Sequence, residues 1–145
     1  MLILAVAGDG SLLDGDDLLA ICAIDRYQRG ALPGGTVVVT VMANLGLRRT
    51  LVDHGLTVHE TAVGDRYVLE ALEANGWVLG GEQSGHVVFR DLATTGDGLL
   101  TGIQALEATR RSGQTLCELA IYLMVRVPQL LHAVPISSLG ASLIP

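Results

Sequence analysis

At 145 residues the chain is the size of one domain, and half of those residues are hydrophobic, so it can bury a core without a disulfide or metal staple. Aromatics are only 3%, which makes that core aliphatic. The net charge is −6, and the 9 basic residues are all Arg, with no basic stripe, which argues against nucleic acid and against anionic membrane surfaces as partners. Met1 to Ala7 is apolar but lacks the basic flank and cleavage site of a signal peptide. The apolar stretch 119–134 is broken by Arg126, Pro128 and His132, so it does not read as a membrane span. A cytoplasmic location is the resulting expectation. Cys22 and Cys117 lie in apolar helical patterns and read as small hydrophobes. No Cys/His spacing fits zinc.

In chain order, Leu2-Ile3-Leu4-Ala5-Val6-Ala7 reads as a buried strand that begins without a polar lead-in, as if a segment preceded it. Gly8-Asp9-Gly10-Ser11 is a turn. Asp14-Gly15-Asp16-Asp17 puts acidic groups at the start of a helix, where the macrodipole favours them. The helix runs through Leu18, Leu19, Ile21, Cys22 and Ile24 and stops near Gly30. Residues 36–42 are a β-branched run, as expected of a strand covered on both faces. Asn44 caps the next helix, with Leu47, Leu51 and Val52 inward and His54-Gly55 at its end. Residues 57–61 form a shorter strand. Gly64-Asp65 opens a helix with Val68, Leu69 and Leu72 inward, stopped by Asn75-Gly76. Trp77-Val78-Leu79 and Val87-Val88-Phe89 read as a hairpin of short strands. Thr95 or Asp97 caps a helix with Leu99, Leu100, Ile103 and Leu106 predicted on its inner face. Thr115 and Glu118 form a capping box for a last helix. The tail after Val134 has no period and reads as loose. Strands alternating with helices, then a hairpin, predict a three-layer α/β/α domain with a mixed, mostly parallel sheet.

The stretch that stands out is Gly81-Glu82-Gln83-Ser84-Gly85-His86, between the two hairpin strands. It packs a carboxylate, an amide, a hydroxyl and an imidazole into five positions, with glycines that let the backbone approach a ligand. It offers directed donors and acceptors but no nucleophile–base spacing, and it is not a G-x-S-x-G elbow. Such a set suits a polyhydroxylated ligand. A Gly-rich hairpin with a polar tip is the competing structural reading.

Several blocks, in this order, resemble the phosphoglucosamine mutases of the phosphohexomutase superfamily. They are Leu4-Ala5-Val6-Ala7 through Asp14-Gly15-Asp16, Thr40-Val41-Met42-Ala43-Asn44-Leu45-Gly46-Leu47, Val63-Gly64-Asp65-Arg66-Tyr67-Val68-Leu69-Glu70, Leu79-Gly80-Gly81-Glu82-Gln83-Ser84-Gly85-His86, Thr94-Thr95-Gly96-Asp97-Gly98-Leu99-Leu100 and Pro128-Gln129-Leu130-Leu131. Family members are four-domain cytoplasmic enzymes that interconvert glucosamine 6-phosphate and glucosamine 1-phosphate through a phosphoserine and Mg²⁺. By that resemblance, residues 1–12 are the end of the second, metal-loop domain, 13–126 the sugar-binding third domain, and 127–145 the start of the fourth with an unmatched tail. Glu82 and Ser84 would bond sugar hydroxyls, His86 would flank them, and Gln83 stands where relatives acting on glucose or mannose phosphates commonly have Met. Asp65 and Arg66 would lie at the cleft, Arg66 meeting anionic substrate, although Asp65 also fits a helix cap.

The departures from the family shape the expectation. The phosphoserine segment, the Asp-rich Mg²⁺ loop and the phosphate clamp are missing from the sequence, so no catalytic residue and no metal ligand is expected in this chain. Asp14-Gly15-Asp16 follows the Leu-Ala-Val strand, whereas the family's metal loop precedes it. The expected partners are a hexosamine phosphate and the missing domains, with self-association through apolar surface left uncovered. The alternatives are a stand-alone sugar-phosphate-binding module, a phosphoglucomutase or phosphomannomutase fragment, and a remnant without a role.

Overall fold

The computed structural model describes residues 1–132, so the tail after Val134 lies outside the described residues. In chain order the elements are β1 (Ala5–Val6), β2 (Leu12–Leu13), α1 (Gly15–Gln28), a 3-10 turn (Pro33–Gly35), β3 (Thr36–Thr40), α2 (Leu45–Asp53), β4 (Thr57–Thr61), α3 (Asp65–Asn75), β5 (Leu79–Gly81), β6 (Val87–Phe89), α4 (Gly98–Ser112) and α5 (Leu116–Leu123). The main sheet has the order β4-β3-β5-β6. β3 pairs in parallel with β4 and β5, and β6 closes the edge antiparallel to β5. This is the mixed, mostly parallel sheet that the sequence predicts.

Side-chain alternation along β3 separates the layers. Val37 and Val39 join the large aliphatic core beneath α1, α2 and α4, with Leu18, Leu19, Leu47, Leu51 and Phe89. Val38 points the other way and packs with Val68, Leu72 and Val88 beneath α3. Helices therefore cover both faces, and every residue of β3 is buried, which is why its β-branched run carries no polar alternation. A third cluster, with Ala7, Leu13, Ile21, Ala108, Leu119 and Ala120, fastens the β1–β2 hairpin and α5 to the outer side of α1. α1 is thus sandwiched, which accounts for its apolar circumference.

The structure corrects four details of the sequence reading. The strand expected over residues 2–7 shrinks to Ala5–Val6, paired with Leu12–Leu13. It is one-sided: Leu2, Leu4 and Val6 are exposed while Ala7 is buried. The strand expected over Trp77-Val78-Leu79 shifts forward: β5 takes in Gly80 and Gly81, and Trp77 lies before it, its ring 4.9 Å from that of His59. The strand uses glycine because a methyl group at Gly80 would stand 2.9 Å from both Val38 Cβ and Val68 Cγ1. Val52 faces outward. The inner face of α4 is not the leucine face: Leu99, Ile103 and Leu106 are exposed, while Gly98, Thr101, Ala105 and Ala108 face inward. Both sets have helical spacing, and close packing against α1 and the N-terminal segment selects the small one. A methyl at Gly98 would come within 2.8 Å of the Leu2 carbonyl oxygen.

Candidate functional site

The parallel strands β3, β4 and β5 all end at the same edge, and the segments that follow them form one rim there. Ligands of open α/β sheets bind outside such carboxyl ends. Here a cleft of about 440 Å³ is lined by Thr40 and Met42 after β3, Val63 after β4, and Glu82, Gln83 and Ser84 after β5. Among the sequence-predicted residues, the fold therefore brings Glu82, Gln83 and Ser84 together at one cleft. Thr40, Met42 and Val63 were not singled out from sequence, although each sits in a block that carries the family resemblance. Their signal is positional, since each lies at or just after the carboxyl end of a parallel strand.

The loop after β5 is held from four sides. Within it, the Glu82 N–H donates to the His86 carbonyl (2.9 Å) and the Gly85 N–H to the Glu82 carbonyl (3.0 Å). From α1, the Gly15 N–H donates to the Gln83 carbonyl at 3.0 Å. From the N-terminal segment, the Ile3 N–H donates to the Gly85 carbonyl at 3.1 Å. From the segment after β4, the Gly64 N–H donates to Glu82 Oε1 at 2.8 Å. A methyl at Gly15 would overlap the Glu82 carbonyl oxygen, and one at Gly85, where φ is +95°, would overlap the Ile3 carbonyl oxygen. Glycine is required at both places for the loop to sit this deep. The result is a half-buried carboxylate with one oxygen fixed by a backbone amide and an exposed Ser84 hydroxyl beside it.

His86 closes the loop from behind. Its side chain is only 14% exposed, and Nε2 lies 4.0 Å from Asp65 Oδ2. Its ring occupies the space a side chain at position 96 would need, which explains Gly96. Nε2 is buried with no hydrogen-bond partner among the described residues. Asp65 is the first residue of α3 rather than its cap, a place taken by Gly64, and it accepts from the Arg66 N–H at 2.8 Å. Arg66 departs furthest from expectation: it is 77% exposed and lies along α3, donating to Glu70 at 2.7 Å. Neither Asp65 nor Arg66 lines the cleft.

Beside the rim, Asn44 does more than cap α2. Its side chain accepts from the Gly46 N–H (2.9 Å) and the Val127 N–H (3.0 Å), and donates to the Val127 carbonyl (2.8 Å) and Gln129 Oε1 (2.9 Å). Its own N–H donates to Asp16 Oδ2 at 2.7 Å. Arg126 donates to both oxygens of Asp14 at 2.8 Å and to Asp17 at 2.7 Å. Burial raises the Asp14 carboxyl, but the Arg126 bonds and the helix amides outweigh it, and its pKa falls below the usual value. Asp16, wholly buried, is pushed up by desolvation to about 6.

These bonds test the acidic cluster as a Mg²⁺ site. Asp14 caps α1 and holds Arg126, Asp17 completes the capping box and shares Arg126, and Asp16 accepts from the Asn44 N–H through Oδ2. A cluster whose carboxylate oxygens are taken up by a shared guanidinium and by backbone N–H groups does not present the open oxygen set a divalent cation needs. A second concavity of about 390 Å³ lies against α1, α4 and α5, away from the loop. Its charged groups pair with each other, Arg29 and Arg111 both on Asp25.

The fold is thus a doubly covered mixed sheet that carries a glycine-clamped Glu82-Gln83-Ser84 loop at its carboxyl edge. Residues 14–127 match the family described as phosphoglucomutase/phosphomannomutase, alpha/beta/alpha domain III, and the chain belongs to that family. Within it, the chain is similar to the phosphoglucosamine mutase of Thermobifida fusca, at 55% identity over 127 residues, covering 88% of this chain and 28% of that protein. It is 57% identical to the phosphoglucosamine mutase of Frankia alni over 128 residues, with the same two coverages. The crystal structure of a phosphoglucomutase/phosphomannomutase family protein from Burkholderia thailandensis superimposes with a TM-score of 0.74 at 29% identity, covering 84% of this chain and 26% of that one. The chain thus spans about 28% of the length of these curated relatives.

Proposed function

We propose that this chain is the sugar-recognition domain of a phosphoglucosamine mutase, and that its loop at Glu82, Gln83, Ser84 and His86 grips the hexosamine ring while other domains move the phosphate. The observation that carries this reading is the fixed Glu82 carboxylate at the mouth of the cleft, held by the Gly64 amide. A carboxylate with one oxygen pinned by a backbone donor is preorganised to accept from sugar hydroxyls, and charge-assisted bonds of this kind are the strong ones. Turning a sugar phosphate end for end calls for contacts that serve both orientations, and one carboxylate beside one hydroxyl suits a pair of neighbouring ring hydroxyls. Asp65 faces His86 from the start of α3, 4.0 Å away, and Arg66 would leave Glu70 to meet the anionic substrate. Gln83 favours the glucosamine substrate over glucose or mannose phosphates.

The reading divides the chain into the end of a preceding domain (1–12), the sugar domain (13–126) and the start of a following one. Mg²⁺ and the phosphoserine then belong to the preceding domains, where the metal would stabilise charge on the transferred phosphoryl group. Leu2, Leu4, Val6 and Leu12, exposed here, are the surface on which the preceding domain sits, and through which the isolated chain self-associates. No helix among the described residues is long and apolar enough to cross a membrane, and a cytoplasmic site of action goes with this reading.

The test is to graft the chain in place of the matching segment of the Thermobifida fusca enzyme and assay interconversion of glucosamine 6-phosphate and glucosamine 1-phosphate. The graft should turn over, and Glu82→Gln should lower kcat/KM by roughly 10- to 100-fold with the fold intact, since each charge-assisted bond is worth about 1.5–3 kcal/mol. The chain alone should show none, with or without Mg²⁺. Unchanged kinetics in the Glu82 variant would remove this carboxylate from the site.

A further inference from the structure

The central strand β3 ends on a hydroxyl that has nothing to bond. Among the described residues, four buried side-chain polar atoms lack a partner: Asp16 Oδ1, Thr40 Oγ1, Arg48 Nε and His86 Nε2. Arg48 bonds Glu60 and the Val41 carbonyl through its terminal nitrogens. Asp16 holds the Asn44 N–H through its other oxygen. Thr40 has no such second bond. Its neighbours of the same type do: Thr36 donates to the Gly34 carbonyl at 3.1 Å, and Thr61 to the Ala62 carbonyl at 3.0 Å.

Thr40 is 1% exposed, yet it lines the cleft together with Glu82, Gln83 and Ser84. The three residues before it, Val37, Val38 and Val39, show what the strand uses when only packing matters. Valine has nearly the shape of threonine and would fill position 40 without burying an unpaired hydroxyl, which costs free energy in the unliganded fold. A polar atom carried at that cost, on the floor of a cleft beside a fixed carboxylate, is explained by a partner that comes and goes.

We infer that Thr40 is a ligand contact: its hydroxyl bonds a hydroxyl or amino group of the sugar ring that enters the cleft beside Glu82. The inference rests on the sugar-recognition reading and adds to it a residue at the base of the cleft. It makes the strand end, and not only the loop, part of the recognition surface. The strand is paired on both sides up to Val39, so the hydroxyl at its end is held in place.

The experiment titrates the full 145-residue chain with glucosamine 1-phosphate, followed by amide NMR shifts, for the unmodified protein, Thr40→Val and Thr40→Ser. Melting temperatures are measured in parallel. Thr40→Val should bind about five- to tenfold more weakly, the loss expected for one hydrogen bond, while melting at the same or a higher temperature. Thr40→Ser, which keeps the hydroxyl, should bind within about twofold of the unmodified chain. Unchanged affinity in Thr40→Val would overturn the Thr40 assignment alone and leave the sugar-recognition reading standing. Weaker binding accompanied by a lower melting temperature would also overturn it, because the hydroxyl would then be holding the strand. No binding by the unmodified chain would overturn both.

Discussion

Two clusters of this molecule look alike in sequence: Asp14-Gly15-Asp16-Asp17, and Gly81-Glu82-Gln83-Ser84-Gly85-His86. Both set carboxylates among glycines next to an apolar element, and either could be read as a ligand site. In the fold they touch, through the Gly15 N–H bonded to the Gln83 carbonyl, and they part company in what takes their oxygens. At the first, helix amides, Arg126 and the Asn44 amide engage all three carboxylates. At the second, one backbone amide holds Glu82 and leaves the group at the edge of an open cleft. A carboxylate cluster is structural or functional according to which donors the tertiary fold brings to it, and sequence spacing does not report that. The first cluster serves as the bracket on which the second is mounted.

The mounting of the loop is most directly broken at its glycines. Gly85→Ala forces a side chain into a left-handed position and into the Ile3 carbonyl, so it should cost about 2–4 kcal/mol in urea unfolding and abolish sugar binding. Gly15→Ala should act in the same direction by driving the Glu82 carbonyl off α1. A loss below about 0.5 kcal/mol, the range of an ordinary surface change, would mean that the loop is not clamped.

Asp16 gives the next effect. Its folded pKa of about 6 lies above the unfolded value of 3.8 because burial disfavours the ionised form. The acid is therefore favoured in the fold. Its contribution to stability is fully present below 3.8 and is lost as pH rises through about 6, a swing of up to about 3 kcal/mol. Unfolding free energies between pH 4 and 7.5 should show that decline in the unmodified chain and a flatter profile in Asp16→Asn. Parallel profiles would show that Asp16 is better solvated or better bonded than its burial implies.

The contrast also marks how far the sequence could be read. The order of elements, the α/β/α layering, Asn44 and Asp97 as caps and the Thr115–Glu118 box follow from local periodicity and capping chemistry, and all are seen. What failed were choices between two patterns of the same period. On α4 the leucine face and the small-residue face repeat alike, and close packing on α1 chose the small one. Gly80 and Gly81 look like a turn until the neighbouring Val38 and Val68 show why a strand would need them. Of the site, the loop was legible because its residues adjoin in sequence. Thr40 and the Gly64 amide were not, because parallel pairing brings their segments together from far apart in the chain, and neither was the Asn44–Gln129 bond, which joins the start of α2 to the segment after α5.

The smallest effect is expected at Arg126, and it sharpens the comparison most cleanly because, among the described residues, its side chain bonds the first cluster and not the second. Its side chain is 41% exposed, so solvent screens the pair and Arg126→Ala should cost only about 1 kcal/mol at pH 7, even with its fork on Asp14 and a third bond to Asp17. The pH dependence carries the diagnosis. Asp14 titrates below 3.8 in the fold, so its stabilising contribution is present above that value and is lost as pH falls through the depressed pKa. Without Arg126 the effect of burial is no longer offset, the Asp14 pKa rises, and acid unfolding should begin at a higher pH. Added salt should narrow the gap between the two proteins at neutral pH. Glucosamine 1-phosphate binding should not change, since Arg126 has no contact with the Glu82 loop. An Arg126 variant that binds the sugar phosphate markedly less well would join the two clusters into one functional unit and break the division drawn between them.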